Sequence, residues 1–307
     1  MEQPIGFILV FVALVFCIIS IIISSIVLFQ VARHAWKFPD GNLLLAIENY
    51  LAVILCSIIL LSLNISAIQG DLKIYIYLDS LACQVRAYAL CYAFTWLFHT
   101  FALQALGRMS NIIFQHRFVF LRSLRVVKIS VVSCPFIPFI LFCPLVAFND
   151  MSYESADFQC ATNFREVKTY AFLFVVAYCT PVTIVVVCYM AVIRRLTKAT
   201  LRIQEVSQGA MRRDIVVLRR LVLTVCCLVC TGIPTIAFWF QWVFTRQLYF
   251  LAYRIQTVCL SFDMLFLAFS LVLINPQLKS IVTRLHGPRI APVTVRVRPL
   301  QTLTRIV

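Results

Sequence analysis

Glu48, Asn49 and Asp263 stand inside long apolar stretches, and Arg108 stands at the end of another. A polar group in that setting has three chemical uses. It can carry a proton, supply oxygen to a cation such as sodium, or hydrogen-bond a partner on a neighbouring helix. An arginine at a membrane edge takes a carboxylate, a lipid phosphate or a partner protein. Catalytic signatures are missing: no GxSG, HExxH or GxGD pattern occurs. His34, His99, His116 and His286 are scattered, and none lies near Cys83 or Cys160, which argues against a metal centre.

The elements that must position these residues follow from composition. The 307 residues are 62% hydrophobic and 13% charged, whereas soluble domains are about half apolar and about a quarter charged. Apolar runs cover 7–31, 43–68, 81–106, 126–148, 170–193, 221–244 and 248–274. Each reaches the ~20 residues that an α-helix needs to cross ~30 Å of hydrocarbon. The expected fold is therefore an all-α membrane protein, a seven-transmembrane helix bundle. A short outer N-terminus (1–6) precedes the bundle (7–274), and a short cytoplasmic amphipathic helix (275–286) and a basic tail (287–307) follow it. The first run is long for a signal peptide and lacks a basic leader and a cleavage site, so it reads as a retained anchor.

Orientation follows the cations. Of 27 Lys and Arg, 21 fall on one side of the bundle, while Asp71, Asp79, Asp150, Glu154, Asp157 and Glu166 fall on the other. The basic side is expected to be cytoplasmic and the N-terminus outside. The net charge of +15 then reflects topology and attraction to anionic lipid rather than nucleic-acid binding. Of 13 cysteines, the 11 other than Cys83 and Cys160 lie within apolar runs and pack as small hydrophobes. Cys83 opens the third span and Cys160 lies between the fourth and fifth, both on the outer side, where an oxidising milieu favours a disulfide between them.

With seven spans, Cys83 at the head of the third, Arg108 at its foot and Cys160 in the second outer loop, the chain resembles a rhodopsin-like (family 1) G-protein-coupled receptor of a divergent, invertebrate orphan type. Pro181, Tyr189 two turns below it, and Pro234 in the sixth span also match. Several motifs depart from the family pattern. Asn49 in LAIEN (45–49) replaces an aspartate that binds sodium. GRM (107–109) keeps only the arginine of the DRY motif. Gly232 in CTGIP replaces a tryptophan. INPQLKS (274–280) has Lys279 in place of the tyrosine of NPxxY. In one register that stretch is the seventh-span motif. In the other the motif falls near LAFSL (267–271), and Asn275-Pro276 caps the amphipathic helix.

The resemblance implies a plasma-membrane receptor that binds an extracellular ligand and activates a heterotrimeric G protein as the sixth span swings outward. It also implies an activation switch at Arg108, Asp214, Tyr189, Pro181 and Pro234. Asp214 lies 20 residues before Pro234, about 30 Å of helix, which puts it at the cytoplasmic end to pair with Arg108. Glu48, Asn49 and Asp263 form a candidate polar hub. Depending on the seventh-span register, Asp263 joins Asn49, as a sodium site or as a protonated hydrogen-bonding pair, or else it lines the ligand cavity. The candidate ligand-binding residues are Arg86, Cys91, Phe94, Tyr178, Phe238, Trp239, Trp242, Tyr253, Arg254 and Thr257. Arg86 and Arg254 either meet an anionic group or pair with acids of the second outer loop. No lysine lies in 248–274, which excludes a retinal Schiff base. The alternative class, a seven-span transporter or channel, needs a continuous polar path, and intramembrane charge is sparse.

Overall fold

Residues 2–37, 41–74, 81–113, 124–147, 151–154, 157–162, 167–199, 208–274 and 278 are described in a computed structural model. Helices α1 (Glu2–Lys37), α2 (Gly41–Asp71) and α3 (Leu81–Ile113) are followed by α4 (Leu124–Ser133) and α5 (Phe136–Ala147). A hairpin of β1 (Met151–Glu154) and β2 (Gln159–Thr162) comes next, then α6 (Val167–Leu173), a π-helical turn (Phe174–Cys179), α7 (Thr180–Ala199), α8 (Gln208–Thr245) and α9 (Ala252–Ile274). Seven helical spans are long and apolar enough to cross a membrane. The chain is an all-α, multi-pass membrane protein, with one small hairpin among the described residues.

In lipid, a helix cannot sort its faces by hydrophobicity alone, because the tails are as apolar as leucine. Helix α1 sorts them by size and polarity. Ala13, Cys17, Ser20, Ser24, Val27 and Val31 are buried, spaced three or four apart, while Ile8, Phe11, Ile22 and Phe29 are exposed. The small face meets α2 and α9 and carries hydrogen bonds. Ser20 and Ser57 lie 3.1 Å apart and the Cys17 thiol donates to Ser261 at 3.3 Å, while α2 and α9 are tied directly by the Tyr50 hydroxyl, which donates to the Ala268 carbonyl at 3.4 Å. Small side chains let the backbones approach, and each cross-helix bond satisfies a group that lipid cannot.

Two spans depart from single regular helices. The fourth, expected over 126–148, is broken between α4 and α5. Cys134 makes the last helical bond, to Ser130, and Pro135 has no N–H with which to continue. The fifth contains the π turn ahead of Pro181. Helix ends also differ: α3 runs on to Ile113 and α8 begins at Gln208, because hydropathy marks only the lipid-embedded part of a helix. The amphipathic helix expected at 275–286 and the tail at 287–307 lie outside the described residues except for Leu278, which is buried.

Cys83, in the first turn of α3, is disulfide-bonded to Cys160 on β2, with Cα atoms 5.3 Å apart. Tyr153 pairs with Cys160 across the antiparallel hairpin, so the bond holds both strands over the end of the bundle. The tip Phe158, at φ 53°, packs against Gly70 at the end of α2, where a Cβ would collide with its ring.

Candidate ligand cavity and its surroundings

Pro181 cannot donate to the helical ladder, and the turn before it is π-wound. The Thr180 N–H and hydroxyl both point to the Val175 carbonyl, the hydroxyl at 2.9 Å. Such a turn adds a residue and re-aims the side chains that follow. Here Phe174, Ala177 and Tyr178 face inward and form one wall of a cavity of about 120 Å³. Helix α3 supplies Ala87, Leu90, Cys91, Phe94 and Thr95, α6 supplies Tyr170 and Leu173, α8 supplies Thr235 and Ile236, and α9 supplies Gln256 and Leu260.

The floor depends on a glycine. A Cβ at Gly232 would stand 3.2 Å from Cε1 and 3.3 Å from the hydroxyl of Tyr178. The ring occupies the space a side chain at 232 would fill, and it packs on Phe98 with centroids 4.9 Å apart. Trp239 backs the wall from behind, stacked on Tyr170 at 5.9 Å.

Among the described residues no Asp, Glu, Lys, Arg or His lines the cavity. Its polar groups are hydroxyls and one amide. Thr95 donates to the Cys91 carbonyl at 2.8 Å, and the Tyr170 and Gln256 side chains are hydrogen-bonded. The Thr235 hydroxyl is buried with no hydrogen-bond partner among the described residues.

The charges near this end are used elsewhere. Arg254 forms a two-pronged ion pair with Asp71, at 2.9 and 2.7 Å, and its Nε donates to Asp157 at 3.0 Å. The end of α2, the hairpin turn and the first turn of α9 are thereby joined through one guanidinium. Burial pushes the Asp157 carboxyl above its ordinary range, and the Arg254 guanidinium pulls it in the opposite sense. Gly6 of α1 lies against Arg254, where a Cβ would collide with the guanidinium. Thr257 lies 3.0 Å from Gln159 Oε1, a second tie between α9 and the hairpin.

Of the ten residues expected to contact a ligand, Cys91, Phe94 and Tyr178 line the cavity. Trp239 supports it, and Phe238 stacks instead on Tyr249. Arg86 donates to Ser66 at 2.8 Å. Arg254 pairs with acids, one of them in the hairpin, and Thr257 bonds to Gln159. Trp242 is half-buried, Tyr253 is buried, and neither lines the cavity. Ala177, Thr235 and Gln256 line the cavity without having been singled out in the sequence. Pro181 was the available signal for the first.

The residues of the expected polar hub lie on α2 and α9. Glu48 accepts from the Trp96 indole at 3.0 Å, and Asn49 accepts from the Thr100 hydroxyl, both on α3. Asp263 is buried on α9 within electrostatic range of Tyr178 and Cys259. Among the described residues no group of three or more His, Cys, Asp or Glu side chains could hold a metal ion. Asn64, which opens the glycosylation sequon Asn64-Ile65-Ser66, is fully buried and donates to the Leu60 carbonyl. Arg108 is half-buried in α3, Tyr189 packs against the core from α7, and Pro234 lies within α8. The Asp214 side chain lies outside the described residues. No protein-family profile and no curated protein matches the chain.

Proposed function

We propose that the chain is a G-protein-coupled receptor of the plasma membrane, with its disulfide end outside. An extracellular ligand enters the cavity and selects a state in which α8 swings outward, which frees Arg108 and opens a face for a heterotrimeric G protein. The observation that carries this reading is the relation between two ends of α3. Leu90, Cys91 and Phe94 line the cavity, and the same helix carries Arg108, 14 residues beyond Phe94 and so about 21 Å along its axis. A ligand that repositions α8 through Thr235 and Ile236 acts on the helix that carries Asp214. A charge-assisted Arg108–Asp214 pair biases the closed state by about 1–3 kcal/mol, enough for a switch.

The test is GTPγS uptake by a panel of G proteins in membranes that carry each variant. Asp214→Asn is expected to raise basal uptake severalfold, and Arg108→Ala to abolish it. Gly107 offers a converse test, because a Cβ there meets nothing within 4 Å. Gly107→Asp places a carboxylate beside Arg108 without steric cost and is expected to lower basal uptake. If no well-expressed variant promotes uptake with any G protein, the receptor reading fails. Solute flux across vesicles would then test the transporter alternative.

A further inference from the structure

We infer that the cavity takes an uncharged, compact, largely apolar molecule of about one aromatic ring that carries a single hydrogen-bonding oxygen, which Thr235 engages. This deepens the receptor reading by naming the ligand class for the same cavity, and it rests on three observations.

The first is size. The cavity holds about 120 Å³, and an apolar protein cavity of about 150 Å³ admits benzene. A volume of this order suits a molecule of about one ring whose substituent reaches toward the open side, whereas most of a peptide or nucleotide would lie outside it.

The second is charge. Among the described residues, no Asp, Glu, Lys, Arg or His lines the walls. Arg254, the cation closest in sequence to the α9 wall residues, is committed to Asp71 and Asp157. Asp263, within electrostatic range of Tyr178, is buried and is not among the lining residues, so an ammonium or carboxylate on the ligand would meet no counter-charge at the wall, which costs more than it returns.

The third is Thr235. Several of the described helix threonines dispose of their hydroxyls on their own backbone: Thr95, Thr180, Thr245 and Thr257 each donate to a carbonyl four or five residues earlier. Thr235 lines the cavity and is 8% exposed; its hydroxyl oxygen is buried with no partner among the described residues, so a ligand meets it through a χ1 rotation of that side chain. A buried hydroxyl left unmet is costly, and a ligand oxygen that meets it recovers the loss. The result is selectivity for one polar atom on an otherwise greasy molecule.

The experiment uses the full-length protein in lipid nanodiscs and four probes of similar size: acetophenone, ethylbenzene, benzoate and benzylammonium. Saturable binding is read by ligand-observed NMR as the difference from Ala177→Phe, whose ring fills the cavity. Melting curves confirm that each variant is folded. Acetophenone is expected to bind saturably, and both charged probes at least about tenfold more weakly. Thr235→Val, which keeps the side-chain shape, should weaken acetophenone about fivefold to tenfold and leave ethylbenzene unchanged.

The inference is overturned if either charged probe matches acetophenone, or if acetophenone shows no saturable binding to the wild type. It is also overturned if Thr235→Val weakens both neutral probes equally. Nucleotide exchange separates the two readings. Arg108-dependent exchange without acetophenone binding removes the ligand class alone. Saturable acetophenone binding with no exchange on any G protein removes the receptor reading and leaves the site assigned.

Discussion

The helices of this bundle do not pack alike. In α2, α3 and α9 about half of the membrane window is buried (56%, 50% and 50%), against 17% in the broken fourth span and 22% in the fifth. The tight half has cross-helix hydrogen bonds along its length and the Arg254 ion-pair cluster at its end. The loose half contains the π turn, the glycine at 232 and the unmet Thr235 hydroxyl, and the cavity lies where it faces α3 and α9. A membrane protein has no hydrophobic drive between helices inside the lipid. Whatever holds its spans together must come from close packing and polar ties, and whatever is to move must lack them. The contrast separates a frame from a part free to respond to what enters the cavity.

The largest effect is expected at the strongest tie of the frame. Arg254→Met leaves Asp71 and Asp157 without the cation that both share, a loss of about 3–5 kcal/mol in unfolding from detergent. Its pH dependence has a definite sign. Burial raises the Asp157 carboxyl, and Arg254 is what opposes that rise. Without the arginine the folded state favours protonated Asp157, so stability is retained at low pH and lost as pH climbs through the raised value. The deficit of Arg254→Met should therefore be smaller at pH 5 than at pH 8. An equal deficit at both values would mean that Asp157 stays ionised and that Asp71 carries the effect.

The disulfide comes next. Its cysteines lie 77 positions apart, and loss of a loop closure of that size is worth about 2–4 kcal/mol. Cys83→Ala with Cys160→Ala tests whether the hairpin is held by the covalent bond or by the ion pairs. The Arg254 cluster and the Thr257–Gln159 tie remain in that double variant, so the hairpin should stay protected from protease. Rapid cleavage at the hairpin would show that the polar ties alone do not hold it.

The sequence made some of this architecture readable and concealed the rest for definite reasons. The seven spans were legible because every backbone group in lipid must be bonded within a helix, which forces long apolar runs. The Cys83–Cys160 bond was legible from chemistry, two thiols on the side opposite the cations. Helix rotation was not. Where nearly every residue is apolar, no hydrophobic face declares which side turns inward. Phe238, Trp242, Tyr253 and Thr257 were thus expected at the cavity and sit elsewhere, while Ala177 and Gln256 were missed. Arg254 had two readings from sequence, an anionic ligand or an acid of the loop. Asp157 fits the second, but Asp71, brought in from the end of α2, had no sequence signal. Glu48, Asn49 and Asp263 looked like one hub because all three are costly in lipid, a criterion that says nothing of their direction.

Two glycines test the contrast at its finest grain, since each has a ring where a Cβ would go. At Gly70 the ring is that of Phe158, fixed on a turn at φ 53° beside the disulfide and the Asp157–Arg254 pair, so it has nowhere to retreat. Gly70→Ala should cost about 1–3 kcal/mol, the ordinary penalty of overpacking. At Gly232 the ring is that of Tyr178, 3.2 Å from the added carbon, and its other side borders the cavity. A shift of a few tenths of an ångström relieves the contact, and alanine returns up to about 1 kcal/mol of helix propensity over glycine. Gly232→Ala should leave thermal stability within about 0.5 kcal/mol of wild type, the usual range for substitutions without a packing penalty, while narrowing the cavity and weakening acetophenone. Equal destabilisation at both positions would mean that the cavity wall is as rigid as the frame. The outward movement of α8 would then have to begin somewhere other than Tyr178.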